Sequence, residues 1–570
     1  MDDQQQNKIY PRIIGNTWEP TDSKKIWLQY IDDWHCNINN TIDRIAFAKT
    51  KQLNYIDKEI LKALNQLANM HNIVIKPADK NLGPVILTHR QYETMCMEHL
   101  SNSNTYEITN NFDPNKCYID LESILEKHNM RYVQYANNSN KRQKRETQLA
   151  RSICQLKNSP LLRNAYFYCN PKMHKPGLVK KGRPIVSSIN SVTYHTSIYL
   201  HNILSPIMKY LNTTVESSQE ALQRMQNITL TDNSQILCAD VTSLYPSIPI
   251  DYGLSAVQKM LELVTQRQLM KINIALTMDL LKWVLTNNYF TFNNISYKQL
   301  TGTAMGTPVA PVYANIVLFW IDVKCCENRL PMYMRYLDDI FTIVHDEQHA
   351  NNTVQTFNNQ CQTLKLEGVT TGPSGVFLDI DVSIKDNKLV TKVYQKPINK
   401  YLYLKPSTNH ARTVIKNFIL QEFKRYRLLC SEKYDYNNIA CLFIQRLERR
   451  KYSTRYLTDE VLPKVPSRSA ILEQISLRRQ KTDSGKSTPI IIMSQSAKNH
   501  LTRNGYSPRR EFVLDDRLTN NSEFRAAYPH FDSSGLLIGT TNEKSVNQYI
   551  VRAKYPKPGQ QAMKYLSEFT

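Results

Sequence analysis

The chain has 570 residues, 41% of them hydrophobic, which is too long for one small domain and sufficient for three or four structural units, each with its own core. Lysine and arginine total 72 against 50 aspartate and glutamate, and the formal surplus of +22 favours a polyphosphate partner, with nucleic acid ahead of an acidic membrane surface. Met1–Asn7 is polar and no apolar run of roughly 18 residues occurs anywhere, so neither a signal peptide nor a membrane span is expected and the protein is expected to act inside the cell.

In chain order, residues 1–70 are polar at first and helical in pattern from Asp57 to Met70, and form an extension with no recognisable chemistry. Ile73–Ile75 and Val85–Leu87 read as short strands around the polar loop Lys76-Pro77-Ala78-Asp79-Lys80-Asn81-Leu82-Gly83. The stretch from Lys141 to Arg183 is the most basic in the chain, and Tyr166, Phe167 and Tyr168 interleave its later half as expected of a nucleic-acid groove. Lys141–Arg145 reads equally as a solvated face or a nuclear-import patch.

Ile236–Ala239 is a buried-strand signal that ends at Asp240, and Met332–Tyr336 and Ile340–Val344 are strands flanking Leu337-Asp338-Asp339. Between them, Thr307-Pro308 followed by Val309, Val312, Tyr313, Ile316, Val317 and Trp320 predicts a helix with proline in its first turn and one apolar face. Further on, Ala411, Val414, Ile415, Phe418, Ile419, Phe423 and Tyr426 keep helical spacing with basic residues off the stripe, a second basic helix covers Ile439–Arg450, and Ser467–Ser494 reads as a linker broken by apolar Ile490–Met493. The eleven cysteines contain no C-x-x-C pair, so reduced thiols in the core are expected rather than a zinc clamp.

Adjacent aspartates alone are most often a solvated turn. Here an acid-ended strand with Tyr245 behind it, a Gly-Pro helix entry and a double-Asp hairpin follow one another in order. Nucleotidyl transfer requires such acids, because two divalent cations about 3.5 to 4 Å apart must be held by hard oxygen ligands, one to activate the attacking 3′ hydroxyl and one to steady the pyrophosphate.

Ala239-Asp240-Val241-Thr242-Ser243-Leu244-Tyr245, Ala304-Met305-Gly306-Thr307-Pro308 and Tyr336-Leu337-Asp338-Asp339 resemble motifs A, B and C of reverse transcriptases. More narrowly, the chain resembles the Penelope-like retroelements, whose polymerase is akin to telomerase, through Ala78-Asp79-Lys80-Asn81-Leu82-Gly83-Pro84, Pro171-Lys172-Met173-His174-Lys175-Pro176, Gly182-Arg183-Pro184-Ile185-Val186-Ser187 and Phe377-Leu378-Asp379-Ile380. The resemblance runs from about Ile73 to Leu457. It implies an α+β right-hand polymerase with fingers over 71–235, a palm over 236–405 carrying a fingers-like excursion at about 251–298, and a helical thumb over 406–466, before a linker and C-terminal extension over 467–570.

The resemblance further implies RNA-directed DNA synthesis with two Mg²⁺ or Mn²⁺ ions, held by Asp240, Asp338 and Asp339 with Val241 beside them. Lys172 and Arg183 would contact the triphosphate, Met305 and Gly306 would line the nucleotide, and Tyr245 would clash with a ribose 2′ hydroxyl. Lys365 is the candidate proton donor to the leaving group, whereas Asp379 and Asp381 read as structural. Lys76, Lys80, Lys175, Lys424 and Arg425 are candidates for nucleic-acid contact, with an RNA template, a DNA primer or target and deoxynucleoside triphosphates as partners, and a nuclear location is expected. Asn547–Lys554 resembles the segment that precedes a GIY-YIG endonuclease in Penelope-like proteins, but no such pair and no cysteine follow Cys441; a complete chain would then resemble the members without that nuclease, and a fragment would simply lack it.

Three rivals weigh against this. Asp240–Ile248 also reads like the Ser-Leu-Tyr-Pro-Ser motif of family B DNA polymerases, but that family's Asp-Thr-Asp is absent. An RNA-dependent RNA polymerase would carry aspartate where Tyr245 stands and glycine where Leu337 stands. A catalytically inactive nucleic-acid-binding scaffold is opposed by the presence of all three acids.

Overall fold

A computed structural model describes residues 72–109, 112–128, 162–173, 181–226, 230–408 and 412–480, three short strands outside those ranges, and a few single positions. Two compact units divide the chain. The first comprises residues 68–400, 429–439 and 550–570, and the second comprises 1–67, 401–428 and 440–549.

Strands of the first unit are β1 (Ile73–Pro77), β2 (Pro84–Thr88), β3 (Tyr106–Ile108), β4 (Ala165–Pro171), β5 (Gly182–Ser187), β6 (Gln235–Val241), β7 (Tyr289–Phe292), β8 (Ile295–Gln299), β9 (Met332–Tyr336), β10 (Asp339–Val344), β11 (Leu366–Gly372), β12 (Ser374–Phe377), β13 (Ile380–Lys385) and β14 (Lys388–Val393). They form a five-stranded sheet of order β3-β8-β7-β4-β5, a four-stranded sheet β9-β10-β6-β11, a three-stranded sheet β12-β13-β14 and the hairpin β1-β2. The four-stranded sheet carries the acids, and β6 at its interior pairs antiparallel with β10 and β11. Such a central strand is buried on both faces, which is why Ile236, Leu237, Ala239 and Val241 are apolar in near-continuous sequence.

The excursion between β6 and β9 begins with helices α1 (Ile250–Gln266) and α2 (Ile274–Thr286) and returns through β7 and β8. Its β7 pairs in parallel with β4, so this insertion completes the five-stranded sheet rather than the acid-bearing one. Stacked rings of Phe167, Phe290 and Tyr297 fill that sheet's core, with centroids 5.6 and 5.7 Å apart.

The helix expected after Pro308 starts two residues later, as α3 (Ala310–Cys326) with Pro311 in its first turn. It is not one-faced: Val312, Tyr313, Ile316, Val317, Leu318 and Ile321 are all buried, because α1, a second helix Glu347–Gln360 and the Tyr194–Leu204 helix pack around it. Trp320, expected on the apolar stripe, lies at the half-exposed margin, where its indole N–H donates to the Ala256 carbonyl at 2.9 Å. Periodicity alone cannot distinguish a surface helix from one enclosed by neighbours on every side.

In the second unit, α4 (Arg412–Leu429) and α5 (Lys433–Arg449) meet around Phe443, whose ring stands edge-on to Tyr403 and Phe423 at 5.0 Å and to Tyr426 at 5.5 Å. The predicted stripe is buried at Ile415, Ile419, Phe423 and Tyr426, whereas Val414 is exposed. Part of the expected linker is ordered as helix α6 (Arg468–Gln480), anchored where Arg468 Nε donates to the Leu428 carbonyl at 3.0 Å and Ile471 is buried. Pro11–Ile13, Pro489–Ser494 and Leu537–Thr541 form a small sheet whose central strand is the apolar Ile490–Met493 segment.

One sheet bearing the acids, a second sheet completed by an insertion, and a second unit dominated by helices give the chain the α+β class expected from its sequence. Among the described residues no helix is long and apolar enough to cross a membrane, and all the cysteines are free thiols. Of the Asp57–Met70 helix expectation only Glu59, Lys62, Ala63, Gln66, Leu67 and Met70 are described, the first five of them helical, and the Lys141–Arg145 patch lies outside the described residues.

Candidate active site

β9 and β10 form a hairpin whose two turn residues are Leu337 and Asp338, since Tyr336 pairs directly with Asp339. Leu337 adopts φ +53°, a left-handed conformation that costs a non-glycine residue roughly 1–2 kcal/mol. On the neighbouring strand, Asp240 stands directly opposite Asp339. The Val241 amide donates to the Asp338 carbonyl at 2.9 Å, which closes the end of β6 over the turn. Two adjacent registers therefore bring three carboxylates to one edge of the sheet.

Arg335 holds the strained turn. Its side chain is fully buried, and its guanidinium donates to the Leu337 carbonyl at 2.9 Å, to Asn315 Oδ1 at 2.7 Å and to both oxygens of Asp322 at 3.1 and 2.9 Å. Asp322, also fully buried, accepts from the hydroxyls of Thr213 and Tyr333 at 2.8 Å each. Every charge in the network is partnered, the condition under which a buried ion pair specifies geometry instead of destabilising it. Burial and the Asp322 carboxylate together hold the Tyr333 hydroxyl far above the ordinary range.

Asp339 is pushed up to about 7, first by burial, then by its hydrogen bond to Asp240 and by the charges of Asp240 and Asp338, against a smaller opposing pull from Lys396. The Asp338 carboxyl is also raised, by burial and by Asp240, while Arg183 and Arg335 favour its ionised form. A carboxylate cluster that resists full ionisation fits a hard divalent cation, which would relieve the repulsion. Val241 is buried and can offer such an ion only its main-chain carbonyl. Among the described residues no three His, Cys, Asp or Glu side chains already converge as a finished metal cage.

Arg183 on β5 and Tyr245 reach the same edge. Arg183 opposes the raised pKa of both Asp338 and Tyr245, and Tyr245 is raised by burial, then by Asp338, with Tyr336 adding to it. The chain reverses between Asp240 and Tyr245 through Ser243 at φ +45°, which turns Leu244–Ser247 into a short helix. Gly302, at φ +70°, abuts that helix so closely that a Cβ would lie 2.2 Å from the Tyr245 carbonyl oxygen.

Met305 and Gly306 are stitched to β5. The Val186 amide donates to the Met305 carbonyl at 2.7 Å, and Ser188 Oγ donates to the Gly306 carbonyl at 3.2 Å. Gly306 has φ +116°, and a Cβ there would lie 2.3 Å from the Val186 carbonyl oxygen. The strand that presents Arg183 thus also fixes the glycine loop.

The remaining cations are placed differently. Lys172 follows β4, its amide donating to the Lys181 carbonyl at 2.8 Å, and its charge acts on His99 and Cys169. Lys365 lies beside β6, where its carbonyl accepts from the Thr242 amide at 2.8 Å, but its ammonium donates to the Asn358 carbonyl at 2.5 Å and not to the carboxylates. Lys76, expected as a phosphate contact, is instead fully buried, 4.9 Å from the centre of the Tyr92 ring and 5.5 Å from that of Tyr168, because β1 packs inward against α-helix and sheet. Lys80 is exposed in the β1–β2 turn at φ +61°. Lys175 lies outside the described residues. In the second unit Lys424 is half-exposed and Arg425 pairs with Glu422 at 2.6 Å.

Asp379 caps the β12–β13 turn, where it accepts from Ser218 Oγ, and Asp381 pairs with Lys392 at 3.5 Å, so both have structural partners. Sequence reasoning passed over Arg335, Asn315 and Asp322. One signal was available, because Asn315 and Asp322 lie seven residues apart on the same face of an otherwise apolar helix, a pattern that demands a buried partner.

Neither the family models nor the curated proteins contain a match to this chain. Among solved structures it is similar to telomerase of Candida albicans in complex with a TWJ fragment of telomeric RNA, with TM-score 0.48, 10% identity, and 83% of this chain and 72% of that chain covered. It is also similar to apo telomerase of Candida tropicalis, with TM-score 0.40, 10% identity and coverage of 70% and 66%. A third likeness is the BmCPV RNA-dependent RNA polymerase at the elongation state, with TM-score 0.35, 10% identity, and 70% of this chain against 34% of that one. Likenesses this slight assign no activity, and the chain's own geometry has to carry the functional argument.

Proposed function

We propose that the chain is a reverse transcriptase of the Penelope-like type, extending a primer 3′ hydroxyl with deoxynucleotides on an RNA template. The observation that carries this is the register of Asp240 opposite Asp339, with Asp338 in the adjoining turn and Arg183 and Tyr245 at the same edge. Asp240, Asp338 and Asp339 would hold Mg²⁺ or Mn²⁺, which when bound lowers the pKa of the attacking hydroxyl and stabilises charge on the phosphoryl oxygens. Arg183 would bind the triphosphate, for which a planar, permanently charged guanidinium is well suited, and Lys172 would add a second positive charge. Tyr245 would stand under the nucleotide sugar and exclude a 2′ hydroxyl, with Gly306 and Met305 lining the nucleotide on the β5 side.

The Penelope-like subtype rests on sequence motifs that span β1 to the second unit, and a nuclear location on the basic Lys141–Arg145 patch. Lys80, Lys175, Lys424 and Arg425 would contribute phosphate contacts without reading bases.

The test is primer extension on an RNA template with deoxynucleotides and Mg²⁺ or Mn²⁺, comparing wild type with the Asp338→Ala, Asp339→Ala double variant. Extension by the wild type alone is the expected result. Template binding with no extension under either metal would replace the polymerase assignment with that of a nucleic-acid-binding scaffold.

A further inference from the structure

The β1–β2 turn carries an acid, Asp79, that takes no part in the site described so far. Asp79 sits in it, in a short turn over Asp79–Asn81 closed by the Ala78 amide donating to the Gly83 carbonyl at 2.8 Å. Its side chain is only 10% exposed, and its Oδ1 forms an ion pair with Arg183 Nε at 3.0 Å. Arg183 itself is 47% exposed. The contact engages Nε, the inner nitrogen of the guanidinium, on a side chain that is otherwise about half accessible. The other Asp79 oxygen, Oδ2, is buried with no hydrogen-bond partner.

A purely structural carboxylate would satisfy both oxygens, since a buried acceptor left without a donor disfavours the folded state. A carboxylate that grips an arginine through Nε instead fixes the plane of the guanidinium. That plane decides whether two parallel N–H bonds can be made to a phosphate.

We propose that Asp79 is a positioning residue that orients the Arg183 guanidinium for the triphosphate of the incoming nucleotide. The proposal rests on the polymerase reading in assigning the triphosphate to Arg183. Both residues lie within the first unit, on the β1–β2 turn and on β5, so the coupling needs no movement between units. Asp79 touches no reacting atom, and all of its effect on the nucleotide passes through Arg183.

The experiment is equilibrium binding of deoxythymidine triphosphate with Mg²⁺ to the primer–template complex, run beside extension, for wild type, Asp79→Asn, Arg183→Ala and the double variant. Asp79→Asn is expected to weaken nucleotide affinity about 10-fold, appearing in extension as a raised KM with kcat within about twofold. The double variant should bind no more weakly than Arg183→Ala alone, as a residue acting solely through another requires. Losses that multiply in the double variant, or a fall in kcat and melting temperature with affinity unchanged, would overturn the proposal.

If Asp79→Asn does not fold, Arg183→Lys makes the same test from the other side, because it keeps the charge and loses the Nε anchor. It should bind nearly as weakly as Arg183→Ala, and wild-type affinity in it would refute the orientation role. A wild type that binds the triphosphate but extends nothing defeats the polymerase assignment while the binding pattern still decides Asp79. A wild type that binds no triphosphate defeats the Asp79 proposal itself.

Discussion

Arg335→Met should destabilise the first unit and impair synthesis by two separable routes. The substitution strands a fully buried Asp322 without its cation, and breaking such a pair costs about 3–5 kcal/mol. A melting-temperature drop of roughly 5 °C follows for a unit of this size. It also removes the bond from Arg335 to the Leu337 carbonyl, so the φ +53° turn that carries Asp338 loses its clamp. Adding Asp322→Asn removes the stranded charge, while the amide still partners the hydroxyls of Thr213 and Tyr333, whose bonds to Asp322 are 2.8 Å long. The pair of changes should therefore recover most of the stability and little of the activity, with kcat remaining at least ~10-fold down because the carboxylates are no longer held in place. Thermal unfolding and primer extension on the same three proteins provide the check. Recovery of both stability and kcat in the double variant would show that the turn needs no clamp from Arg335.

Tyr245→Ala should raise ribonucleotide incorporation without abolishing synthesis, read as the ratio of kcat/KM for the two sugars; an unchanged ratio would refute the sugar gate. Gly306→Ala places a Cβ against the Val186 carbonyl at φ +116° and should cost activity by displacing β5, whereas Gly83→Ala, at φ +97° with open space around it, carries only the backbone penalty of the turn. A normally active Gly306→Ala enzyme would contradict the close approach. Asp339 has a folded pKa of about 7, above its unfolded value, so the metal-free protein should lose stability as pH rises through the interval from about 4 to about 7. Mg²⁺ should offset that loss near pH 8 and have little effect at pH 5, and a melting temperature indifferent to Mg²⁺ at both pH values would contradict the carboxylate cluster as an ion site.

The local elements were legible because each has a short-range cause. Met332–Tyr336 coincides with β9, and the strand carrying Asp240 and the acidic hairpin lie where short apolar runs and turn chemistry put them. Ordered acids on strand ends also made the candidate site legible, since Asp240, Asp338 and Asp339 needed only adjacent strands to meet. Lys76 was misplaced for the opposite reason. Its sequence neighbours are polar loop residues, and nothing local foretells that Tyr92 and Tyr168, 16 and 92 residues away, will enclose it.

By itself, then, the sequence determined the strands, the hairpin and which carboxylates lie at their ends, because these follow from interactions within a few residues. Only the tertiary structure decided that β7 of the insertion joins β4, that α3 is buried over most of its surface, that Asp322 and Asn315 of α3 fix the guanidinium of Arg335, and that Asp79 holds Arg183. Those are contacts between residues distant in sequence, set by which surfaces can be buried together and which buried charges must find partners, and a single sequence carries that information only in its sum.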